Sequence, residues 1–378
     1  MKKNLLLTPG PTPLPAEVCD ALGRPIIHHR TPQFQAILKE ALEGLKYVFQ
    51  TKHDVFILAA SGTGAMEAAV VNLLSPGDTA LTVQGGKFGE RWTELCKAYN
   101  VNTEIIDVEW GRAVDPQEIK KRLDINPKIK AVFTTLCETS TGVDSDIEAI
   151  GKIVKNSNAV LVVDAISGLG AVDIKSDDWD CDVVVSGSQK GLMLPPGLGF
   201  ISLSPKAYKL TQEAKSPRYY FDLRLAKKAL DKTDTAFTSA INLIIALNEA
   251  LRMIKEQGLE NLFLRHKKMA DATRVAVKAL GLELFAPQAA SDAVSAVKVP
   301  EGIDGSKLVK IMRDDNGVTI AGGQAELKGK IFRIAHMGYI QDKDIITGIS
   351  TLEKVLKELG YNFQPGAGVR AAEEVFRK

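Results

Sequence analysis

From about residue 40 to residue 205 the chain alternates between amphipathic stretches and short apolar runs rich in β-branched residues. The amphipathic stretches carry apolar residues three and four positions apart, which is the spacing of a helix with one buried face. These predicted helices are 34–49, 65–74 and 90–99. The apolar runs, which are typical of strands buried on both faces, are 54–59, 79–83, 131–135, 160–164 and 182–186. The pattern predicts an α/β fold in which helices cover a mostly parallel sheet.

The pattern changes after Pro205, where a charged and mixed stretch without a clear strand precedes two long helices. The later predicted helices are 238–257, 259–280, 306–314 and 343–359, and the later predicted strands are 293–299, 318–320 and 330–335. These elements indicate a smaller C-terminal α+β domain. We therefore divide the chain into an N-terminal segment (1–20), a large domain (21–260) and a small domain (261–378).

Charge and hydropathy narrow the class of protein. The 48 Lys and Arg residues against 46 Asp and Glu leave a formal net charge of +2, which gives no reason to expect a nucleic acid or an anionic membrane as a partner. No apolar run reaches the ~18 residues of a membrane-spanning helix, and the apolar stretch near the N-terminus is too short for a signal peptide. We therefore expect a protein of the cytoplasm.

The cysteines and histidines indicate neither a disulfide framework nor a metal site. The four cysteines, Cys19, Cys96, Cys137 and Cys181, are far apart and form no CxxC pair. The five histidines form no HxxxH or HExxH pair. We expect reduced thiols in a reducing compartment and no bound metal.

Two charged residues follow buried apolar runs, at the strand ends where α/β proteins bind ligands. Lys190 lies in the segment 186–191 among small residues, where burial would lower its pKa and make it an amine nucleophile. Asp164 ends the run 160–164, where a carboxylate is poorly solvated unless it has a cationic partner. Taken alone, Lys190 is also consistent with a solvated loop lysine, and Asp164 with the N-cap of the next segment.

A third segment, 60–65 (ASGTGA), joins a predicted strand to a predicted helix. Its small residues let backbone amides approach an anion, which a helix N-terminus favours, although it matches neither the P-loop nor the GxGxxG pattern. A tight turn with a Ser or Thr cap is the alternative. With Lys190 and Asp164 at the same sheet edge, however, one cofactor explains all three features. Pyridoxal 5′-phosphate (PLP) has a phosphate, a ring nitrogen that works best protonated, and an aldehyde that reacts with lysine.

Seven ordered motifs extend this interpretation over nearly the whole chain. They are 7–12 (LTPGPT), 29–32 (HRTP), 61–64 (SGTG), 138–142 (ETSTG), Asp164, 186–190 (SGSQK) with the Pro-Pro-Gly that follows, and 332–334 (FRI). In these motifs the sequence resembles the class V aminotransferases of the fold type I PLP enzymes. The resemblance is specifically to the alanine–glyoxylate, serine–glyoxylate and serine–pyruvate group.

The resemblance implies roles for individual residues. Lys190 would bind the cofactor aldehyde covalently and move the substrate Cα proton, and Asp164 would pair with the ring nitrogen. The other implied cofactor contacts are Ser61, Gly62, Thr63 and Gln189 at the phosphate, Phe88 and Ile166 on the two ring faces, Thr139 at the 3′ oxygen, and Thr235 and Thr238 at the phosphate of the neighbouring subunit. Arg333 would clamp the substrate carboxylate, in a pocket lined by Gly10. Core packing is the alternative for Phe88, and an exposed strand position is the alternative for Arg333.

Three departures from the family pattern refine the expectation. Phe88 stands where glyoxylate enzymes often carry Trp and cysteine desulfurases carry His. No cysteine follows Cys181, so the mobile catalytic cysteine of the desulfurases is missing. The stretch at Thr235 lacks the tyrosine that some relatives place on the phosphate.

The resemblance implies a homodimeric transaminase with shared active sites and ping-pong chemistry. It would move an amino group from alanine or serine to glyoxylate or pyruvate, because a single arginine assigned to the substrate favours small monocarboxylic acids. A transaminase of 2-aminoethylphosphonate type is the alternative within the fold, although we place no extra basic residues in the pocket. From other classes, a hydrogenase-associated subunit and a non-enzymatic binding protein are also considered. The scattered cysteines argue against the former, and the presence of Lys190 and Asp164 argues against the latter.

Overall fold

The structure is a computed structural model and describes residues 4–378. In chain order its strands are β1 (Leu5–Leu6), β2 (Asp54–Leu58), β3 (Thr79–Gln84), β4 (Asn102–Asp107), β5 (Ile129–Thr135), β6 (Cys137–Glu138), β7 (Val143–Asp144), β8 (Val160–Asp164), β9 (Val183–Gly187), β10 (Gly199–Leu203), β11 (Val294–Lys298), β12 (Val318–Thr319), β13 (Ala321–Gly322) and β14 (Ile331–Ala335). Its α-helices are α1 (Ala16–Leu22), α2 (Pro32–Phe49), α3 (Gly62–Leu73), α4 (Lys87–Ala98), α5 (Pro116–Ile125), α6 (Ile147–Val154), α7 (Pro205–Glu213), α8 (Leu223–Leu230), α9 (Ile241–Gln257), α10 (Leu259–Ala279), α11 (Gly305–Asp314), α12 (Asp342–Glu358) and α13 (Ala367–Arg377).

A seven-stranded sheet in the order β2-β10-β9-β8-β5-β3-β4 forms the centre of the large domain. β10 runs antiparallel to β2 and β9, and the other neighbouring pairs are parallel. The predicted mostly parallel sheet is therefore confirmed. β10 reverses direction because the connection 188–198 contains no helix, whereas a parallel crossover needs about a dozen residues or more, usually with a helix.

Helices bury both faces of this sheet, which explains why its strands are apolar almost throughout. In β8, Leu161 and Val163 belong to a core cluster with residues of α2, α6 and α9. Val160 and Val162 point the other way, into a cluster with residues of α3, α4 and α7. Alternate side chains thus enter opposite cores, as the period of two in a strand requires. The carboxyl ends of the strands are left to form one edge where side chains converge.

The C-terminal part has its own three-stranded sheet, in the order β11-β14-β13, and its own core cluster with residues of α10 to α13. β1 pairs in parallel with β12, and Leu7 enters the same cluster. From β1, the described part of the N-terminal segment therefore runs from the small domain to the edge of the large sheet. The domain boundary at 260/261 stays a prediction, with Leu262 in the core of the large sheet and Met269 in that of the small one.

None of the described helices is long and apolar enough to cross a membrane.

Candidate active site

Lys190 follows β9 and is held in a buried position. Its Nζ donates a hydrogen bond to the carbonyl of Pro9, and its own carbonyl accepts one from Thr12 Oγ1 at 2.9 Å. A Cβ atom at Gly10 would lie 2.5 to 2.7 Å from the end of the Lys190 side chain, at a φ of +134°. Residue 10 must therefore be glycine for the N-terminal segment to cover the amine. Burial lowers the pKa of Lys190 to about 8, so a usable fraction of the amine is neutral near neutral pH.

Asp164 ends β8 and is a buried carboxylate without a salt-bridge partner among the residues described. Only 3% of it is exposed, and its Oδ1 accepts a hydrogen bond from the Ile166 amide at 2.8 Å. Burial raises the pKa of Asp164 to about 7, and the charges of Arg91 and Lys190 oppose that rise. A cation placed at this carboxylate would favour its ionised form.

Ser61, Gly62 and Thr63 form the turn from β2 into α3. The N-cap Ser61 makes no side-chain hydrogen bond to the helix, so its first amides are open to an anion. The Gln189 carboxamide lies beside this turn: a Cβ at Gly187 would be 3.0 Å from Gln189 Oε1 and 3.3 Å from the Gly62 nitrogen. The buried Gln189 Oε1 has no hydrogen-bond partner in the described structure. The alternative amide orientation would present the NH₂ group to the same space.

Phe88 and Ile166 flank this region from two elements. Phe88 is half-buried in the first turn of α4. Ile166 packs against the start of α3, where a Cβ at Gly62 would lie 2.6 Å from Ile166 Cδ1. The Arg91 guanidinium carbon lies 5.0 Å from the Phe88 ring centre, and Arg91 Nη1 donates to Thr63 Oγ1 at 3.3 Å.

Arg91 is not among the residues to which the sequence motifs point. Its signal is the helical spacing, because a residue three positions after Phe88 lies on the same face one turn later.

Arg333 projects from β14 of the small domain and is 5% exposed. Its Nη1 donates to the Thr139 carbonyl at 2.8 Å, and its Nε and Nη2 donate to the Gly322 carbonyl at 3.0 and 2.6 Å. Burial lowers the pKa of Arg333 to about 10, and the charge of Glu138 opposes that fall. A guanidinium fixed by carbonyl oxygens alone retains its affinity for a carboxylate.

Thr139 lies in the turn between β6 and β7 and is 2% exposed. Its Oγ1 donates to Ser167 Oγ at 2.5 Å, which ties this turn to the segment that follows Asp164. The carbonyl of the same residue holds Arg333. Thr139 therefore joins the strand-end groups of the large sheet to the arginine of the small domain.

Thr235 and Thr238 lie on the loop between α8 and α9, and no hydrogen bond in the described residues joins them to the groups above. Thr235 Oγ1 donates to the Phe237 carbonyl at 2.8 Å. Arg30 holds the loop, with Nη1 2.8 Å from the Thr235 carbonyl and 2.5 Å from Asp234 Oδ2. Within one chain these threonines are therefore set apart from Lys190 and Asp164 in the bonding pattern.

The residues at the sheet edge fit PLP in three respects. Open amides and an unpartnered carboxamide suit a phosphate, an unpaired buried carboxylate suits a protonated ring nitrogen, and a buried amine suits an aldehyde. The apolar side chains of Phe88 and Ile166 suit the faces of an aromatic ring.

Comparisons with known proteins agree with this fit. The family model Aminotransferase class-V matches residues 5–338. The chain is 48% identical to a "Soluble hydrogenase 42 kDa subunit" of Anabaena cylindrica, over 99% of both chains. It is 39% identical to an L-aspartate–glyoxylate aminotransferase of Paracoccus denitrificans, over 100% of this chain and 97% of the relative.

A crystal structure of an alanine–glyoxylate aminotransferase from Nostoc sp. has the same fold. It superposes with a TM-score of 0.91 at 31% identity, covering 94% of this chain and 96% of the other. The chain therefore belongs to the class V aminotransferases, a family of PLP-dependent enzymes.

Proposed function

We propose that this aminotransferase moves an amino group from alanine or serine to glyoxylate or pyruvate by a ping-pong mechanism. The observation that carries the proposal is a buried guanidinium, Arg333, near a buried amine, Lys190, and an unpaired carboxylate, Asp164. Arg333 donates to the Thr139 carbonyl, and Thr139 in turn donates to Ser167, three residues after Asp164, which connects the guanidinium to the strand-end groups. Glyoxylate as acceptor is also supported by the names of the Paracoccus and Nostoc relatives.

PLP, when bound, supplies an aldehyde that carries the amino group and a ring that withdraws electrons from the substrate Cα. Lys190 would move the Cα proton, since its lowered pKa lets Nζ accept and return a proton near neutral pH. Asp164 would hold the proton on the ring nitrogen. Ser61, Gly62, Thr63 and Gln189 would hold the phosphate, Phe88 and Ile166 would cover the ring faces, and Thr139 would lie at the 3′ oxygen. These roles keep the cofactor oriented while the two substrates exchange.

The preference for monocarboxylic substrates follows from assigning Arg333 alone to the substrate. Arg91 also enters the region, but its bond to Thr63 directs it to the phosphate turn. A panel of alanine, serine, aspartate and 2-aminoethylphosphonate as donors tests the assignment, each with glyoxylate and all but alanine also with pyruvate. We expect the highest kcat/KM for alanine or serine. Faster reaction with aspartate or 2-aminoethylphosphonate would contradict the proposed substrate class.

Arg333 provides a specific prediction about this selection. Hydrogen bonds to a charged group contribute about 1.5–3 kcal/mol. At about 1.4 kcal/mol per tenfold, Arg333→Ala is therefore expected to lower kcat/KM by roughly ten- to a hundred-fold. The loss should be shared by donor and acceptor, since both carry the same carboxylate. Arg333→Lys should restore part of the activity, because it keeps the charge but loses the planar pair of donors.

Steady-state kinetics with alanine, serine, glyoxylate and pyruvate, beside a PLP titration, measure these effects. Arg313→Ala is a matched control, because Arg313 is an exposed arginine of the same domain that pairs with Asp314. Unchanged kcat/KM in Arg333→Ala would show that the carboxylate binds elsewhere. Loss of PLP binding in Arg333→Ala would instead show that Arg333 helps to retain the cofactor.

We also propose that the enzyme is a homodimer in which Thr235 and Thr238 reach the phosphate in the partner subunit. Arg30 bonds the loop that carries them, and an aromatic group beside this loop faces solvent in the single chain. Tyr219 and Tyr220 pack against Phe237 with ring centres 5.5 and 5.2 Å apart, and 74% and 44% of these tyrosines are exposed. Exposed aromatic groups of this kind are typical of protein–protein contacts.

Shared sites predict complementation between two inactive variants. One variant is Lys190→Ala and the other is Thr235→Ala combined with Thr238→Ala. In a hybrid dimer one site contains all the lesions and the other contains none, because each site takes its lysine and its threonines from different subunits. Hybrid dimers isolated with two affinity tags should therefore regain about half of the wild-type activity. Absence of recovery in isolated hybrids, or a fully active monomer, would contradict the arrangement.

The name of the Anabaena relative favours a second candidate, a hydrogenase subunit. Among residues 4–378, no group of three or more His, Cys, Asp or Glu side chains is arranged to hold a metal ion. Metal analysis and PLP quantification of the purified protein together distinguish the two candidates. PLP at one equivalent per chain supports the aminotransferase proposal, whereas stoichiometric iron or nickel without PLP would support the hydrogenase subunit. The cytoplasmic location stays a prediction.

A further inference from the structure

The first turn of α4 is capped by residues far away in the sequence. Its N-cap, Gly86, has no side chain to accept a hydrogen bond from the helix amides. The amides of Lys87, Phe88 and Gly89 are bonded instead to the side chains of Ser140 and Glu138. Lys87 N lies 3.1 Å from Ser140 Oγ. Phe88 N and Gly89 N lie 3.1 and 2.9 Å from Glu138 Oε2. A helix start usually draws these acceptors from its own N-cap.

Glu138 is a buried carboxylate with hydrogen bonds to both of its oxygens. Oε2 accepts from the amides of Phe88 and Gly89, and Oε1 accepts from the Ser140 amide at 3.2 Å, from Ser140 Oγ and, at 3.3 Å, from the Phe88 amide as well. Only 4% of the residue is exposed, and burial raises the pKa of Glu138 while these hydrogen bonds lower it. The N-terminus of α4 also favours a negative charge at this point.

Gly86 makes this close approach possible. A Cβ atom at residue 86 would lie 2.5 Å from Glu138 Cδ and 2.4 Å from Ser140 Oγ, closer than real Cβ contacts. The carboxylate therefore occupies the space that a side chain on the N-cap would need. Gly86 therefore leaves α4 without a cap of its own and at the same time leaves room for Glu138 and Ser140 to supply one.

The capped turn carries the aromatic ring that the proposed function assigns to the cofactor. Phe88 is bonded to Glu138 through its own amide, and Arg91 on the same helix lies against the Phe88 ring and bonds Thr63. The Glu138 side chain does not lie on the ring face itself, because it is directed at the backbone of α4. Besides the charge it contributes near Asp164 and Arg333, it can therefore act on the cofactor through the position of this helix start.

We propose that Glu138 is a positioning residue that fixes the first turn of α4, and with it Phe88, against the ring of PLP. The inference rests on the proposed role of Phe88. When the cap is lost, the turn samples other positions, and the apparent affinity for PLP falls in proportion to the fraction of molecules that keep the competent one. Glu138 and Ser140 lie 50 and 53 residues after the α4 amides from which they accept hydrogen bonds. The sequence next to α4 therefore contains no N-cap motif that would indicate this cap.

Glu138→Gln tests the proposal with little change in side-chain shape. One carboxylate oxygen becomes an NH₂ donor, so either the α4 amides or the Ser140 donors face a donor instead of an acceptor. We expect the dissociation constant for PLP, measured by titrating the apoenzyme, to rise about ten- to a hundred-fold. In the Phe88→Ala background, Glu138→Gln should change that constant much less, since the residue through which it acts is gone.

The matched control is Glu90→Gln, which removes a carboxylate from the same turn that pairs with Lys87 at the surface. It should leave PLP affinity within about twofold of wild type. Ser140→Ala, which removes the acceptor of the Lys87 amide, should weaken PLP binding in the same direction and is decisive if Glu138→Gln does not fold. Circular dichroism and a urea titration of each apoenzyme establish folding.

Each outcome of the titrations has a definite meaning. If wild-type protein binds no PLP, the proposed function itself fails. If the wild type binds PLP and folded Glu138→Gln binds it equally well, the positioning role is wrong. Where Glu138→Gln does not fold, the same conclusion follows if Ser140→Ala binds PLP as well as the wild type does. Full additivity of Glu138→Gln and Phe88→Ala would also overturn the proposal, because Glu138 would then act by another route.

Discussion

Replacing Lys190 by alanine is expected to lower turnover by about a hundred- to ten-thousand-fold, the range for loss of a proton-transfer group. The side chain is buried under Gly10, and its Nζ donates a hydrogen bond to the Pro9 carbonyl. PLP should still bind weakly through the phosphate turn, but without a covalent link. The measurements are kcat with alanine and glyoxylate, and peptide mapping after borohydride treatment of the PLP-loaded protein.

The label should map to Lys190 in the wild type and be absent from Lys190→Ala. Lys209→Ala, at an exposed lysine of α7, is the control and should retain full activity and labelling. Because burial lowers the pKa of Lys190 to about 8, its amine is protonated below that pH and neutral above it. Covalent capture of PLP by the apoenzyme should therefore accelerate as the pH rises to about 8 and then level off. A label on another lysine would refute the assignment.

Asp164→Asn is expected to lower kcat by about a hundred- to several thousand-fold while some PLP remains bound. Removing one partner of a buried ion pair costs about 3–5 kcal/mol, and each 1.36 kcal/mol in the barrier is tenfold in rate. Asparagine has nearly the same shape and still accepts from the Ile166 amide, so the loss should reflect the missing charge. The ring nitrogen would lose the group that keeps it protonated.

Kinetics and a PLP titration on the same preparation of Asp164→Asn separate a loss of turnover from a loss of PLP binding. Asp178→Asn, at an exposed aspartate between β8 and β9, should behave as wild type. Near-normal turnover of Asp164→Asn would contradict the pairing with the ring nitrogen. A complete loss of PLP with unchanged folding would assign Asp164 to cofactor retention instead of activation.

The fold was predictable where burial leaves a simple pattern. β8 was predicted with its observed bounds, because helices on both sides require an apolar residue at every position. β4 was missed, because as an edge strand it is only partly buried and its residues are mixed. β10 was missed because its apolar run follows the Pro-Pro-Gly segment closely, without the helix expected between parallel strands.

The start of α4 shows the limit of local patterns. The helix was predicted from residue 90, yet it begins at Lys87, because the acceptors for its first amides come from Glu138 and Ser140. Such a cap leaves no signal next to the helix, and Gly86 by itself indicates a turn.

The candidate site was predictable to a similar degree. Lys190 and Asp164 were found because charged residues after buried strands are conspicuous. The role of Arg333 came from the resemblance, and its fixed position depends on the Thr139 and Gly322 carbonyls, which are distant in sequence. The contacts of Thr235 and Thr238 with a partner subunit stay predictions, because they depend on a second chain.

The half-reaction is the most direct test of the central claim that this chain is a PLP aminotransferase for small monocarboxylic amino acids. Purified protein loaded with PLP is mixed with alanine, serine or aspartate in the absence of any oxo acid, and its absorbance is followed. Alanine or serine should convert the bound cofactor to its amine form and release one equivalent of 2-oxo acid per site. Glyoxylate added afterwards should restore the original spectrum. An unchanged spectrum with alanine and serine at full PLP occupancy, or a change that glyoxylate does not reverse, would contradict the account.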